Sequence, residues 1–160
     1  MRRIRLHDTR SGLFDVLAHP DLVKVWGPER PLPEGDLRHY YELAMEGIAA
    51  SRIAVELSTA GLRKRAGELY PAPAFLEMAL QAGAPVALSS DAHRPEEVGA
   101  DYDRALELLE RLGVGEVCVF DRRQRRLEAL GASPSRGMSS GGAGDLAPSA
   151  GEAGGRGRAS

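Results

Sequence analysis

The stretch Pro85-Val86-Ala87-Leu88-Ser89-Ser90-Asp91-Ala92-His93 joins an apolar, strand-like run to a carboxylate and an imidazole two residues apart. Residues i and i+2 of an extended chain share a side. A parallel strand that ended here would deliver both groups to the carboxyl edge of its sheet, where α/β proteins bind ligands. Asp91 and His93 could then bind one metal ion. In the alternative interpretation, Asp91 caps the next helix and His93 hydrogen-bonds to the backbone.

A second imidazole lies in a similar setting. His19 follows the apolar run Leu13 to Ala18 and would reach the same edge of the sheet. Two strand ends of this kind favour a metal site more strongly than either does alone, because parallel strands bring their carboxyl ends together.

Short apolar runs alternate with amphipathic stretches along the middle of the chain. A strand–helix–strand order repeated three times predicts right-handed βαβ units on a parallel sheet, an α/β fold. The first predicted helix starts at the N-cap candidate Asp36, the second stops at Gly83 and the third ends at Gly113. The predicted strands are Leu13 to Ala18, Ile53 to Leu57, Val86 to Leu88 and Val117 to Phe120. Four strands and three helices make an incomplete barrel or a small open sheet.

The overall composition predicts one soluble, cytoplasmic domain. With 160 residues, 42% hydrophobic residues and a net charge of −2, the chain can form a core and has no composition that favours nucleic acid. The arginine cluster between residues 122 and 126 is predicted to be a solvated surface turn. No stretch approaches the length of a membrane span. Cys118 lies in an apolar run, which predicts a buried, reduced thiol.

Composition also divides the chain into segments. Residues 131–160 are dominated by Gly, Ser, Ala and Pro. Such a segment cannot bury enough apolar surface to offset its ordering entropy, so a disordered tail is predicted. Residues 1–10 show no clean periodicity, and the folded part is predicted to be residues 11–130.

Two further polar features follow the second predicted strand or lie within it. The alternation of side chains along this strand allows Glu56 to point into the site, although an ion pair of Glu56 with Arg63 or Lys64 is an equally good interpretation. The loop Gly61-Leu62-Arg63-Lys64-Arg65 carries three cations. It fits a phosphate ligand, because guanidinium binds phosphate oxygens in pairs and Lys supplies a point charge. The alternative is a basic surface loop.

Three segments in this order resemble the carboxyl-terminal half of the histidinol-phosphatases of the PHP superfamily. They are Gly12 to Lys24, Val55 to Lys64 followed by Tyr70-Pro71, and Ser89 to His93 followed by Val98-Gly99. The resemblance covers about residues 11–121.

The resemblance implies that the chain is the carboxyl-terminal part of a distorted (β/α)7 barrel with metal ions bound at its carboxyl face. The implied reaction is hydrolysis of L-histidinol phosphate to L-histidinol and phosphate, in histidine biosynthesis. By this resemblance His19, Asp91 and His93 would be metal ligands, and Asp91 and His93 would act in catalysis. Mixed nitrogen and oxygen ligands suit the divalent ions of Zn, Mn or Fe.

The resemblance also implies a small phosphorylated substrate as the partner of this chain, with no nucleic acid and no membrane. Arg63 would help to bind the substrate phosphate. Lys64 and Glu56 are the other candidate substrate-binding residues.

Two features depart from the family pattern. The family begins with an H-x-H strand and further Glu and His ligands, whereas here only Met1 to Arg10 precede the first matching segment. The Asn of the family's E-L-N-T motif is Ser58 here. These departures predict a truncated phosphatase with an incomplete metal cluster and little activity by itself. The alternative is an inactive metal- or phosphate-binding fragment. Exposed half-barrel edges would favour association with another chain.

Overall fold

The computed structural model describes residues 12–30 and 33–131. The predicted amino-terminal segment 1–10 and the predicted tail beyond Gly131 lie outside the described residues. The helices are α1 (Arg38–Ala49), α2 (Pro73–Gln81) and α3 (Tyr102–Arg111), and three 3-10 segments span Leu22–Glu29, Ala60–Arg63 and Pro95–Glu97. The strands are β1 (Val16–Leu17), β2 (Ala54–Ser58), β3 (Val86–Ser89), β4 (Glu116–Asp121) and β5 (Gln124–Ala129).

The five strands form one sheet in the order β1-β2-β3-β4-β5. The first four strands are parallel, which confirms the predicted βαβ organisation. β1 is much shorter than the predicted run, with only two paired residues. The described strands form an open sheet with β1 and β5 at its edges, and closure into a (β/α)7 barrel stays a prediction.

The fifth strand was not predicted from the sequence. β5 pairs antiparallel with β4 through a turn at Arg122 and Arg123, both of which have positive φ angles, 46° and 68°. Such a two-residue turn suits a tight hairpin, but it lacks the Asn-Gly or Asp-Gly sequence that normally reveals one. Every residue of β5 is exposed, so no apolar run marked the strand. The arginine cluster is exposed, as predicted.

All three helices pack on one face of the sheet. The main core joins Val55, Leu57 and Val86 of the strands to helix residues, which include Ile48, Phe75, Leu76 and Leu109. A second, small cluster consists of the strand residues Val16, Ala54, Ala87 and Cys118. Because side chains alternate along β2, Glu56 lies on the same face as Ala54, opposite the helices. The predicted burial of Cys118 is confirmed, and burial raises the pKa of its thiol.

The helix boundaries follow the sequence signals closely. α1 begins at Arg38 with Leu37 at its N-cap position, one residue after the predicted N-cap Asp36, whose Oδ1 accepts a hydrogen bond from the Arg38 backbone N–H at 2.9 Å. α3 buries Ala105, Leu108 and Leu109. Leu106 is 40% exposed, because it is rotated about 100° around the helix from the buried Ala105. Across residues 12–30 and 33–131, the structure contains no helix of the length and apolarity that a membrane crossing requires.

Candidate active site at the carboxyl edge of the sheet

The loops that follow β1 and β3 bring His19 and Asp91 together. β1 and β3 lie on either side of β2, and His19 Nε2 is 3.8 Å from Asp91 Oδ2. Both side chains are part-exposed, at 29% and 34%. The predicted convergence of two strand ends is therefore present for this pair.

Glu56, from the strand between them, completes the group. Its Oε2 accepts a hydrogen bond from the His19 backbone N–H at 2.9 Å and lies 2.8 Å from His19 Nδ1. The structure thus places His19 against Glu56, rather than Arg63 or Lys64. The three side chains form a row in which the imidazole has one carboxylate near each ring nitrogen.

Both His19 and Asp91 adopt a left-handed backbone conformation. Their φ angles are 49° and 45°, values that are uncommon for residues other than glycine. Such conformations persist only where the surroundings hold them, and they cluster at functional sites. For Asp91 the support is visible, since its backbone N–H donates to Ser89 Oγ at 2.9 Å.

Arg63 lies beside the Asp91 loop and binds its backbone. Nη2 of Arg63 donates to the Ser90 carbonyl oxygen at 2.5 Å, and Nη1 lies 3.2 Å from Asp101 Oδ2. Ser90 in turn accepts a hydrogen bond from the Gly99 N–H through its hydroxyl oxygen, at 3.1 Å. The guanidinium of Arg63 therefore lies next to the candidate site, while Lys64 is exposed on the surface.

His93 is not part of the row formed by His19, Glu56 and Asp91. Its ring is exposed, with Nδ1 2.9 Å from the Asp91 carbonyl oxygen. Its backbone N–H donates to Glu97 Oε2 at 2.9 Å, and this hydrogen bond lowers the pKa of Glu97. Within the described parts of the chain, no three His, Cys, Asp or Glu side chains are grouped as a metal site. The three-ligand set with His93 stays a prediction.

Two curated proteins of known name are similar to this chain. The probable histidinol-phosphatase of Deinococcus radiodurans is 38% identical over 115 residues, which cover 72% of this chain and 42% of that protein. The probable histidinol-phosphatase of Schizosaccharomyces pombe is 30% identical over 122 residues, which cover 74% of this chain and 38% of that protein. The chain is a relative of the histidinol-phosphatases. It spans about two fifths of the length of these relatives. No family model matches the chain.

The histidinol-phosphatase resemblance implies a metal, and the pair His19 and Asp91 fits one. Two ligand atoms that each lie about 2.0 to 2.2 Å from an ion are at most about 4.4 Å apart. The 3.8 Å separation of Nε2 and Oδ2 falls within that limit. Imidazole nitrogen and carboxylate oxygen are also a donor set that Zn, Mn and Fe accept.

A buried charge network around Lys24 was not predicted from the sequence. Lys24 is only 5% exposed, and its Nζ lies 2.8 Å from Asp21 Oδ2, 2.8 Å from the Leu69 carbonyl oxygen and 3.1 Å from Glu68 Oε1. Asp21 also accepts a hydrogen bond from the Ala72 N–H at 2.7 Å. Burial raises the pKa of Asp21, and the charge of Lys24 opposes that rise.

This network fastens the segment after His19 to the rest of the fold. Asp21 and Lys24 belong to that segment, whereas Leu69 and Ala72 lie just before α2. The i, i+3 spacing of Asp21 and Lys24 was the sequence signal for this ion pair. The pair was missed because a lysine is expected at the surface, since lysine is almost never fully buried unless it is paired.

Proposed function

We propose that this chain carries metal- and phosphate-binding groups of a phosphomonoesterase that hydrolyses L-histidinol phosphate to L-histidinol and phosphate, a step of histidine biosynthesis. The supporting observation is the meeting of His19 and Asp91 at the carboxyl edge of a parallel sheet. The names of the two curated relatives support the choice of substrate.

His19 and Asp91 are the proposed ligands of a divalent ion of Zn, Mn or Fe. His93 is proposed as a further ligand through Nε2, because its Nδ1 is already 2.9 Å from the Asp91 carbonyl oxygen. When bound, the metal would supply positive charge for the phosphoryl oxygens and would lower the pKa of a coordinated water. Asp91 and His93 are the proposed catalytic residues because they would hold the metal that supplies this charge and activates the water.

Arg63 and Lys64 are the proposed phosphate-binding residues. The Arg63 guanidinium is held beside Asp91 by the Ser90 carbonyl and Asp101, so it needs little reorganisation to meet a phosphate there. A guanidinium has five N–H donors, more than these contacts use. In phosphoryl transfer such a fixed cation stabilises charge on the oxygens of the transferring group.

A second candidate function is a metal- or phosphate-binding fragment without catalysis. The observation in its favour is that, among the residues that the structure describes, no three His, Cys, Asp or Glu side chains are grouped as a metal site. A partly assembled site would forfeit much of the large rate enhancement that phosphate monoester hydrolysis requires. We therefore expect slow turnover if the chain is a phosphatase, and none if it is a binding fragment.

We also propose that the chain associates through the edge formed by β1. Large apolar side chains near this edge are exposed, among them Phe14 at 59% and Val23 at 63%. An open strand edge beside exposed apolar residues favours pairing with another chain. Sedimentation over a range of concentrations should show association, and a Phe14→Ser, Val23→Ser double variant should reduce it.

Phosphate release from L-histidinol phosphate tests the proposed activity. The purified chain would be assayed with added Mn²⁺ or Zn²⁺, beside Asp91→Asn and the exposed control Asp103→Asn on α3. We expect slow, metal-dependent release that Asp91→Asn abolishes and Asp103→Asn retains. Equal release by all three proteins would refute the catalytic role of this site. Metal binding without any release would favour the fragment.

A further inference from the structure

We infer that Glu56 is a positioning residue for His19, which fixes the ring so that Nε2 faces Asp91 and the metal. In this role Glu56 supports His19 and is not the substrate-binding residue that the sequence suggested. It rests on the proposed function only in its last step, since the contact between Glu56 and His19 involves residues of this chain alone.

The placement of Glu56 suits a supporting role. It lies in the middle strand of the site, is only 9% exposed, and points to the face opposite the helices. A buried carboxylate needs a partner. Glu56 contacts His19 twice, at the backbone N–H at 2.9 Å and at Nδ1 at 2.8 Å.

The short distance between Glu56 and Nδ1 identifies which nitrogen carries the ring proton. Two unprotonated lone pairs, one on nitrogen and one on a carboxylate oxygen, repel each other at 2.8 Å, so a proton belongs on Nδ1. Nδ1 is buried and lacks hydrogen-bond geometry in this conformation, so the ring must turn slightly to align its N–H with Oε2. With the proton on Nδ1, the neutral ring keeps a free lone pair on Nε2.

The free lone pair of Nε2 is what a metal requires. Nε2 is the nitrogen that faces Asp91 Oδ2, 3.8 Å away. Carboxylates that accept the second N–H of a metal-bound histidine fix its tautomer and ring orientation. The bond from the His19 backbone to the same oxygen adds support for the left-handed conformation of His19. Glu56 therefore orients both the ring and the backbone.

The ring nitrogens of His19 can be observed directly by ¹⁵N NMR of the metal-free chain in mildly alkaline solution. A His19→Asn variant identifies the His19 signals. We expect a protonated Nδ1 and an unprotonated Nε2 in the wild-type chain. Glu56→Ala should lower the Nδ1–H population, and Glu56→Gln should restore much of it, because the amide oxygen can accept the same proton. Glu110→Gln, exposed on α3, is the matched control.

Zn²⁺ affinity, measured by calorimetry, gives the second readout. We expect Glu56→Ala to weaken binding by about 10- to 100-fold and Glu56→Gln to weaken it less. A wild-type His19 protonated on Nε2, or a tautomer that Glu56→Ala leaves unchanged, would overturn the inference. If Glu56→Ala does not fold, the wild-type tautomer and the Glu56→Gln affinity decide the question.

The two readouts separate this inference from the proposed function. If the wild-type chain shows the expected tautomer but binds no metal, the positioning role stands and the metal site fails. If Asp91→Asn weakens Zn²⁺ binding while both Glu56 variants bind as wild type does, the metal site stands and the positioning role fails.

Discussion

Replacing Lys24 with methionine should destabilise the fold strongly. The change keeps most of the apolar volume but removes the ammonium group that Asp21, Glu68 and the Leu69 carbonyl contact. Asp21 would keep the Ala72 N–H as a hydrogen-bond donor while losing its opposite charge. Breaking a buried ion pair from one side costs about 3 to 5 kcal/mol. Losing the contact with Glu68, which is 44% exposed, adds little to this free-energy cost.

The loss should depend on pH, because the Asp21 charge causes it. Burial holds the pKa of Asp21 above its ordinary value, and removing Lys24 takes away an effect that lowers this pKa. The folded state then binds the Asp21 proton more tightly than the unfolded state does. Stability therefore falls as pH rises from the unfolded pKa through the folded one. Lys24→Met should cost more at neutral pH than at acid pH, where protonation of Asp21 removes its uncompensated charge.

Urea unfolding at both pH values measures these free energies. The control is Arg38→Met, which removes an exposed ion pair with Glu77 at 3.3 Å and should cost at most about 1 kcal/mol. A double variant Asp21→Asn, Lys24→Met should be more stable than Lys24→Met, because the uncompensated charge is gone. A loss below about 1 kcal/mol for Lys24→Met, or the same loss at both pH values, would refute this reasoning.

Three more outcomes are expected. Gly61→Ala should lower the free energy of unfolding, measured in urea, by about 1 to 3 kcal/mol, because the new Cβ would clash with the Glu68 carbonyl oxygen. In the control Gly115→Ala the new Cβ meets nothing within 4 Å, so the free energy of unfolding should hardly change. Arg63→Ala should weaken inhibition by inorganic phosphate by about 10- to 100-fold if Arg63 binds phosphate; unchanged inhibition would leave it as a support of the Ser90 carbonyl. The buried Cys118 thiol, whose pKa is raised, should react slowly with a disulfide reagent until the chain is unfolded, and fast reaction of the folded chain would contradict its burial.

The parallel sheet was predictable mainly because its strand β2 is buried on both faces. β2 is buried along its whole length, and an apolar run is the signal that such a strand leaves. β5 left no such signal, since its exposed residues include Arg125 and Glu128, and antiparallel pairing with β4 defines it. The sequence pattern thus predicts the four parallel strands and misses β5, the exposed antiparallel strand at one edge.

Only part of the candidate site was predictable from the sequence. His19 and Asp91 follow apolar runs, so their shared edge follows from strand parallelism. The partner of Glu56 could not be predicted, because it depends on a left-handed turn at His19 that no periodicity reveals. The separate position of His93 has a similar cause, since the left-handed conformation of Asp91 interrupts the extended chain that would place i and i+2 on one side.

Binding of Mn²⁺ to the purified chain tests the central claim most directly, namely that His19 and Asp91 together hold a divalent metal. Calorimetric titration would compare the wild-type chain with Asp91→Asn and Asp103→Asn. We expect one Mn²⁺ site. Its affinity should fall at least about tenfold with Asp91→Asn, through the loss of a charged ligand, and should stay the same with Asp103→Asn. Equal affinity for the wild-type and Asp91→Asn chains, or no binding of either Mn²⁺ or Zn²⁺ by the wild-type chain, would contradict it.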